Sequence, residues 1–89
     1  MAYRIEFARK ALREFQNLPA QVKKRLKPKI DALGQNPRPR GVKKIEGKEN
    51  LYRIRVGDYR VIYEVQDKVL LVLVVKLGDR KDIYKYLGN

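Results

Sequence analysis

The sequence predicts an α+β fold: an N-terminal strand, a two-helix hairpin, then an antiparallel β-meander packed on the helices. Three observations carry this expectation. The apolar period changes from two to that of a helix after Phe7, and returns to two beyond Asn50. Proline and glycine punctuate the changes, at Pro19, Gly34, Gly41 and Gly57. A chain of 89 residues has the size of one domain with one small core, so residues 1–89 are expected to fold as a single unit.

Tyr3 to Phe7 alternates Tyr, Ile and Phe with Arg4 and Glu6, the pattern of a first strand. Ala8, Ala11, Leu12, Phe15 and Leu18 then fall at helical spacing, with Arg9, Lys10, Arg13 and Glu14 on the other side. Pro19 ends that helix. Val22, Leu26, Ile30 and Leu33 form the stripe of a second helix. Pro28 lies inside it, and a kink or a break just before it is expected, because an interior proline costs about 3 kcal/mol. Gly34 is a natural C-terminal stop. Asn36 to Gly41 (NPRPRG) reads as a restricted loop, and Lys43 to Asn50 as polar and irregular.

Leu51 to Val56 and Tyr59 to Val65 read as strands joined by Gly57-Asp58, the residue choice of a type II′ hairpin turn. Gln66 to Lys68 reads as a turn and Val69 to Lys76 as a further strand, ended by Gly78. That strand is apolar at nearly every position, so both its faces are expected to be covered. The first strand is expected beside it. A basic tail, DRKDIYKYLGN, closes the chain.

Composition narrows the chemistry. There are 22 Lys and Arg against 10 Asp and Glu, with no His and no Cys, for a formal net charge of +12. Such a field attracts polyanions. Absent Cys excludes disulfides and thiol nucleophiles, and absent His excludes imidazole acid–base chemistry and His-ligated zinc. The N-terminus lacks the apolar stretch of a signal peptide. The longest aliphatic run, Val69 to Val75, is far short of the ~20 residues that span a bilayer. A cytoplasmic location without membrane contact is expected.

The turn sets a register. A two-residue loop at Gly57-Asp58 puts Val56 opposite Tyr59, Arg55 opposite Arg60, Arg53 opposite Ile62 and Tyr52 opposite Tyr63. One face then gathers Tyr52, Ile54, Val56, Tyr59, Val61, Tyr63 and Val65, and is expected to receive the helices. The other gathers Arg53, Arg55, Arg60, Ile62 and Glu64. Two arginines directly across a strand pair repel by a few tenths of a kcal/mol or more. Arginines converging on one face suit phosphate, because each offers a planar fork of donors. The alternatives are solvated residues that splay apart, or basic residues guarding an edge strand.

These residues resemble a known family. Leu51 to Val65 (LYRIRVGDYRVIYEV) is similar to the signature hairpin of the RelE/ParE toxin superfamily, and DRKDIY, from Asp79, to its C-terminal Arg-to-Tyr motif. The opening YRIEFARKALREFQNLP, the helix pair ending near NPRP, and KKIEG fit as well. The resemblance implies a type II toxin of RelE-like fold that enters the ribosomal A site and cuts mRNA there. It implies a metal-independent attack by the 2′-hydroxyl that leaves a cyclic phosphate, with no cofactor. The implied partners are an acidic antitoxin, the ribosome and mRNA, with operator DNA reached only through the antitoxin complex.

By the same resemblance, Arg60 and Arg80 neutralise the scissile phosphate. Arg53 and Arg55 hold flanking phosphates, and Tyr84 stacks on a base. Lys43, Lys44, Lys76 and Lys81 are the accompanying RNA-binding lysines. The family often has lysine where this chain has Arg53 and Arg55, which leaves the general base open among Glu64, Lys44, Lys76, Lys81 or none. Asp79 is a second departure, beside Arg80. The alternatives are a ParE-like inhibitor of DNA gyrase, or a non-catalytic partner in a DNA-binding repressor complex.

Overall fold

Alternating apolar residues and one run of aliphatics build a single mixed sheet. The computed structural model describes residues 2–81 and 83. In chain order these form β1 (Arg4–Phe7), α1 (Arg9–Gln16), α2 (Ala20–Ala32), β2 (Lys43–Lys44), β3 (Leu51–Val56), β4 (Tyr59–Gln66) and β5 (Leu71–Asp79), with a 3₁₀ turn at Asp67–Val69 before β5. The sheet order is β1-β5-β4-β3-β2. β1 runs parallel to β5, and all other neighbours are antiparallel. The architecture is the expected α+β one, and the aliphatic strand β5 lies inside the sheet beside β1.

The hairpin register is as the turn dictates: Val56 faces Tyr59, Arg55 faces Arg60, Arg53 faces Ile62 and Tyr52 faces Tyr63. Gly57 has φ +62°, while Asp58 is not in the left-handed region. That pair of signs is the type II′ turn. Every second residue therefore reaches the helices. Ile54, Val61, Tyr63 and Val65 are buried with Val72, Val74 and Leu77 of β5 against Ala11, Leu26, Ile30 and Leu33 of the helices. Each such aliphatic side chain contributes on the order of 1.5–3 kcal/mol through burial. The Tyr63 hydroxyl, fully buried, donates to the Pro37 carbonyl at 2.6 Å and so ties the NPRPRG loop to the sheet.

Five expectations need correction. Helix α2 is not broken at Pro28 but runs through it to Ala32. Pro28 and Lys24, whose carbonyl loses its partner, are both exposed, and a helix tolerates such a loss best on its solvent side. Leu12, assigned to the apolar stripe of α1, is exposed at 41%. Lys43 and Lys44 are not irregular, because they pair with Arg53 and Tyr52 as a short strand. The fifth strand begins at Leu71 rather than Val69, and it runs through Gly78 to Asp79. Gly34 does follow α2, but without a left-handed φ; a Cβ there would sit 3.0 Å from the Tyr3 carbonyl oxygen, so glycine allows β1 to cross close to the helix end.

A bulge breaks the β4–β5 ladder. Ile62 pairs with Lys76 but Tyr63 pairs with Val74, so Val75 is the extra residue. Glu14 of α1 meets this irregularity. Its carboxylate accepts from the Leu77 amide at 3.4 Å and forms a half-buried ion pair with Lys76.

Candidate functional site

The strand pairing assembles basic residues in two transverse rows on the sheet face turned away from the helices. One row runs Lys43, Arg53, Ile62, Lys76; the next runs Arg55, Arg60, Gly78. Gly78 brings no side chain to its row and is itself buried. Two shallow clefts follow. The first, of about 300 Å³, is lined by Gly41, Lys43, Arg53, Arg55 and Arg60. The second, of about 340 Å³, is lined by Arg55, Asp58, Arg60, Asp79, Arg80 and Lys81. Arg55 and Arg60 form the wall common to both.

Their guanidinium groups are held by main-chain carbonyls. Arg55 Nε donates to the Gly57 carbonyl at 3.2 Å, and Arg60 Nη1 to that of Tyr59 at 3.4 Å. Such bonds orient a fork and leave its charge intact. A helix residue joins them: Arg25 of α2 lies against the hairpin turn, its Nη2 3.4 Å from where a Gly57 Cβ would stand. Chemically the arrangement can take up phosphate oxygens in two neighbouring clefts at once, with donors from β2, β3, β4 and the residues after β5.

Most of the expected residues are therefore together: Arg53, Arg55, Arg60, Arg80, Lys43 and Lys81. Two lysines are not. Lys44 stands opposite Tyr52 and lines a separate cavity with residues 45–49. Lys76 is drawn onto Glu14, its side chain only 13% exposed. Tyr84 lies outside the described residues. Glu64 shares the face but is four residues from Arg60 along β4, roughly 13 Å at strand rise, and accepts from Gln66 Nε2 at 2.5 Å. Ile62 is fully buried although it lies on the side away from the helix core, as is Ile83, so this face is covered in part.

Sequence reasoning missed Asp58 and Asp79 as cleft residues, and Arg25 as a neighbour of the hairpin turn. The signal for Asp58 was present, since a residue in a two-residue turn must sit beside the arginines that flank it. Asp79 stood out in the sequence only as a departure from the family pattern beside Arg80. Nothing in the pattern pointed to Arg25, because its approach depends on how α2 crosses the hairpin.

A contrasting arginine sits at the other end of the hairpin. Arg38 Nη2 donates to Asp67 Oδ2 at 2.8 Å, Nη1 to Oδ1 at 3.2 Å, and Nε to the Tyr52 hydroxyl at 3.0 Å. The Tyr3 hydroxyl adds a 2.6 Å bond to Asp67 Oδ1. The bonds from Arg38, then from Tyr3, hold the Asp67 carboxyl below the usual carboxylate range. Arg38 is pushed up by Asp67 and then Tyr52, and burial raises the Tyr63 phenol.

Fold and site together define a small, basic α+β protein that offers converging arginines to an anion on one sheet face. The model of the family described as ParE toxin of type II toxin-antitoxin system, parDE, matches residues 5–84. The chain belongs to that family of type II toxins. Among curated relatives, the mRNA interferase toxin RelE of Escherichia coli K12 is 32% identical over 88 residues, covering 94% of this chain and 92% of its own. Toxin RelE3 of Methanocaldococcus jannaschii is 33% identical over 87 residues, 93% and 97% of the two chains. Among solved structures, a chain of the archaeal RelE–RelB complex from Pyrococcus horikoshii superimposes with a TM-score of 0.78 at 38% identity, over 90% of this chain and 97% of that one. A chain of the intact E. coli RelBE toxin–antitoxin complex gives 0.79 at 31%, over 88% and 96%.

Proposed function

We propose that this chain is an mRNA interferase: a toxin that cuts mRNA on the ribosome and is silenced by an antitoxin. The single observation that carries the reading is the row of Arg55 opposite Arg60, flanked by Arg53 and Lys43 on one side and Arg80 and Lys81 on the other. A sheet does not gain stability from two arginines placed face to face. A phosphodiester that gains charge in its transition state is stabilised by them, and donors fixed in advance around such a charge usually supply the largest share of a rate enhancement.

In this reading Arg60 and Arg80 neutralise the scissile phosphate, while Arg53, Arg55 and Lys43 hold its neighbours along the strand. The 2′-hydroxyl attacks and a 2′,3′-cyclic phosphate is left, with guanidinium charge filling the part that a metal takes in other nucleases. Alignment is supplied by the ribosome, so free RNA is a poor substrate. Tyr84 is the candidate for stacking on a codon base. The names of the RelE relatives, mRNA interferase among them, support the activity. The RelB complexes of the neighbours support an antitoxin partner, acidic to match a net charge of +12. Operator DNA is reached through that complex, and the site of action is the cytoplasm. No helix among the described residues is long and apolar enough to cross a membrane.

The family description names ParE, so a gyrase inhibitor is the second reading. Primer extension on programmed ribosomes separates the two, with Arg80→Ala in parallel. The nuclease reading expects cuts confined to the A-site codon and lost in the variant. A folded protein that arrests growth without cutting mRNA moves the assignment to gyrase.

A further inference from the structure

Breaking an RNA strand by attack of a 2′-hydroxyl expels the 5′-oxygen of the next nucleotide. An alcohol is about as weak an acid as water, whose pKa is about 16, so that oxygen leaves slowly unless a proton reaches it. A guanidinium gives its proton up poorly, because it keeps it to a pH above about 12. The chain has no His. The cleft of Gly41, Lys43, Arg53, Arg55 and Arg60 nevertheless contains one side chain of another kind. Among the described residues that line it, Lys43 alone carries a proton on something other than a guanidinium.

Resting on the nuclease reading above, we propose that Lys43 is the general acid that protonates the leaving 5′-oxygen. Two observations place it. Lys43 of β2 stands opposite Arg53. Arg53 is two residues before Arg55 on β3 and so shares its face, and Arg55 stands opposite Arg60. The pairing therefore puts Lys43 and Arg60 on the same side of the sheet, roughly 12 Å apart along the backbone by strand spacing and rise. Their common lining of one cleft shows, independently, that the two long side chains close that gap. Lys43 is exposed on the edge strand, and its four-carbon stem lets the ammonium follow a moving oxygen.

The neighbouring cleft has a lysine too, Lys81, but it is also lined by Asp58 and Asp79. Carboxylates repel a phosphate that is gaining charge. The cleft of Lys43 is lined by four cations and no carboxylate, so the phosphate is favoured on that side of the Arg55–Arg60 wall. In the step itself, the 2′-oxygen forms its bond to phosphorus and its proton passes to water. The bond from phosphorus to the 5′-oxygen breaks, and its electron pair stays on that oxygen, which takes a proton from Lys43 Nζ. The products are a 2′,3′-cyclic phosphate and a 5′-hydroxyl. The neutral amine then recovers a proton from the hydronium formed at the start.

The test uses a leaving group that needs no acid. A thiol is far more acidic than an alcohol, about 8.5 against about 16, so a 5′-sulfur departs without a proton. Programmed ribosomes are loaded with mRNA that has either oxygen or sulfur at the bridging 5′ position of the A-site linkage. Cleavage is followed in single turnover at saturating full-length protein, for wild type, Lys43→Met, Lys43→Arg and Lys81→Met. Both Lys43 variants are expected to cut the oxygen linkage about a hundredfold more slowly or worse, the usual yield of a positioned acid, and to cut the sulfur linkage at the wild-type rate. Their melting temperatures are expected to match wild type. Lys43→Arg keeps the charge, so its full activity on oxygen would show that Lys43 only holds phosphate and would overturn the proposal. An equal loss on oxygen and sulfur would do the same. A loss repaired by sulfur in Lys81→Met alone would move the role to Lys81. Each of these outcomes leaves the nuclease reading standing, whereas absence of cleavage by folded wild type on either linkage would remove both.

Discussion

The two ends of the β3–β4 hairpin treat arginine in opposite ways. At the end near the NPRPRG loop, Arg38 closes on both oxygens of Asp67 and lies 5.1 Å over the Tyr52 ring. At the turn end, Arg55 and Arg60 face one another and donate to backbone carbonyls. The first arrangement neutralises its charge inside the fold and joins three segments distant in sequence. The second sets two guanidinium groups side by side on the face away from the helices, and in the proposed function they serve a phosphate. One residue type thus closes on a carboxylate with both arms of its fork at one end, and bonds only to main-chain carbonyls in the hydrogen bonds seen for Arg55 and Arg60 at the other. Lys76 falls between them: it belongs to the arginine face by strand position, but Glu14 has drawn it into the fold.

The sharpest way to break this contrast is to delete one arginine at each end. Arg60→Ala is expected to cut mRNA cleavage by about 10²–10³-fold, the scale of losing one preorganised transition-state donor, with thermal stability unchanged. Primer extension and a melting curve on the same preparation check both halves. Slow, residual cleavage with a lowered melting temperature would place Arg60 with Arg38 instead.

Glu14→Ala sharpens the intermediate case. It strands a half-buried Lys76 ammonium and frees the Leu77 amide at the bulge, and is expected to destabilise by about 2–3 kcal/mol. Urea unfolding measures it. Double replacement with Lys76→Met is expected to recover most of the loss, since no unpaired charge remains.

Arg38→Ala is the mirror image of Arg60→Ala. Cleavage is expected to persist, with a loss of about 1 kcal/mol because the pair is partly exposed. For a domain of this size that is a fall in melting temperature of about 4–8 °C. The same pair sets an acid response. Asp67 is held below its unfolded value, so its contribution is complete above about pH 4 and is lost as pH falls through the lower folded value. Unfolding curves between about pH 5 and about pH 2 should show that loss in wild type and not in Asp67→Asn.

The smallest effect is the most diagnostic of register. Arg55→Glu replaces a repulsive cross-strand pair with an attractive one and is expected to raise stability by a few tenths of a kcal/mol while abolishing cleavage. A fall in stability would mean that the two side chains do not meet across the hairpin.

Much of this was legible in the residue order because the relevant rules are local. A glycine that tolerates positive φ at the first turn position fixes a two-residue loop, and the loop fixes which side chains share a face, so Arg53, Arg55 and Arg60 were placed together from spacing alone. The stripe Leu26, Ile30, Leu33 and the all-apolar β5 were legible for the same reason, a short period imposed by backbone geometry. The tertiary structure alone decided the rest. The bulge at Val75 sets β5 against β4 by one residue, and Glu14, sixty-two positions from Lys76 in the chain, draws that lysine away from the arginines. It also brings Asp79 into the arginine cleft, Arg25 to the hairpin turn, and Asp67 to Arg38. Arg38 with Asp67 and Lys76 with Glu14 are meetings of charged side chains from distant elements. Such charges sit in no periodic pattern, and their energy depends on distance and burial that only the packed chain fixes.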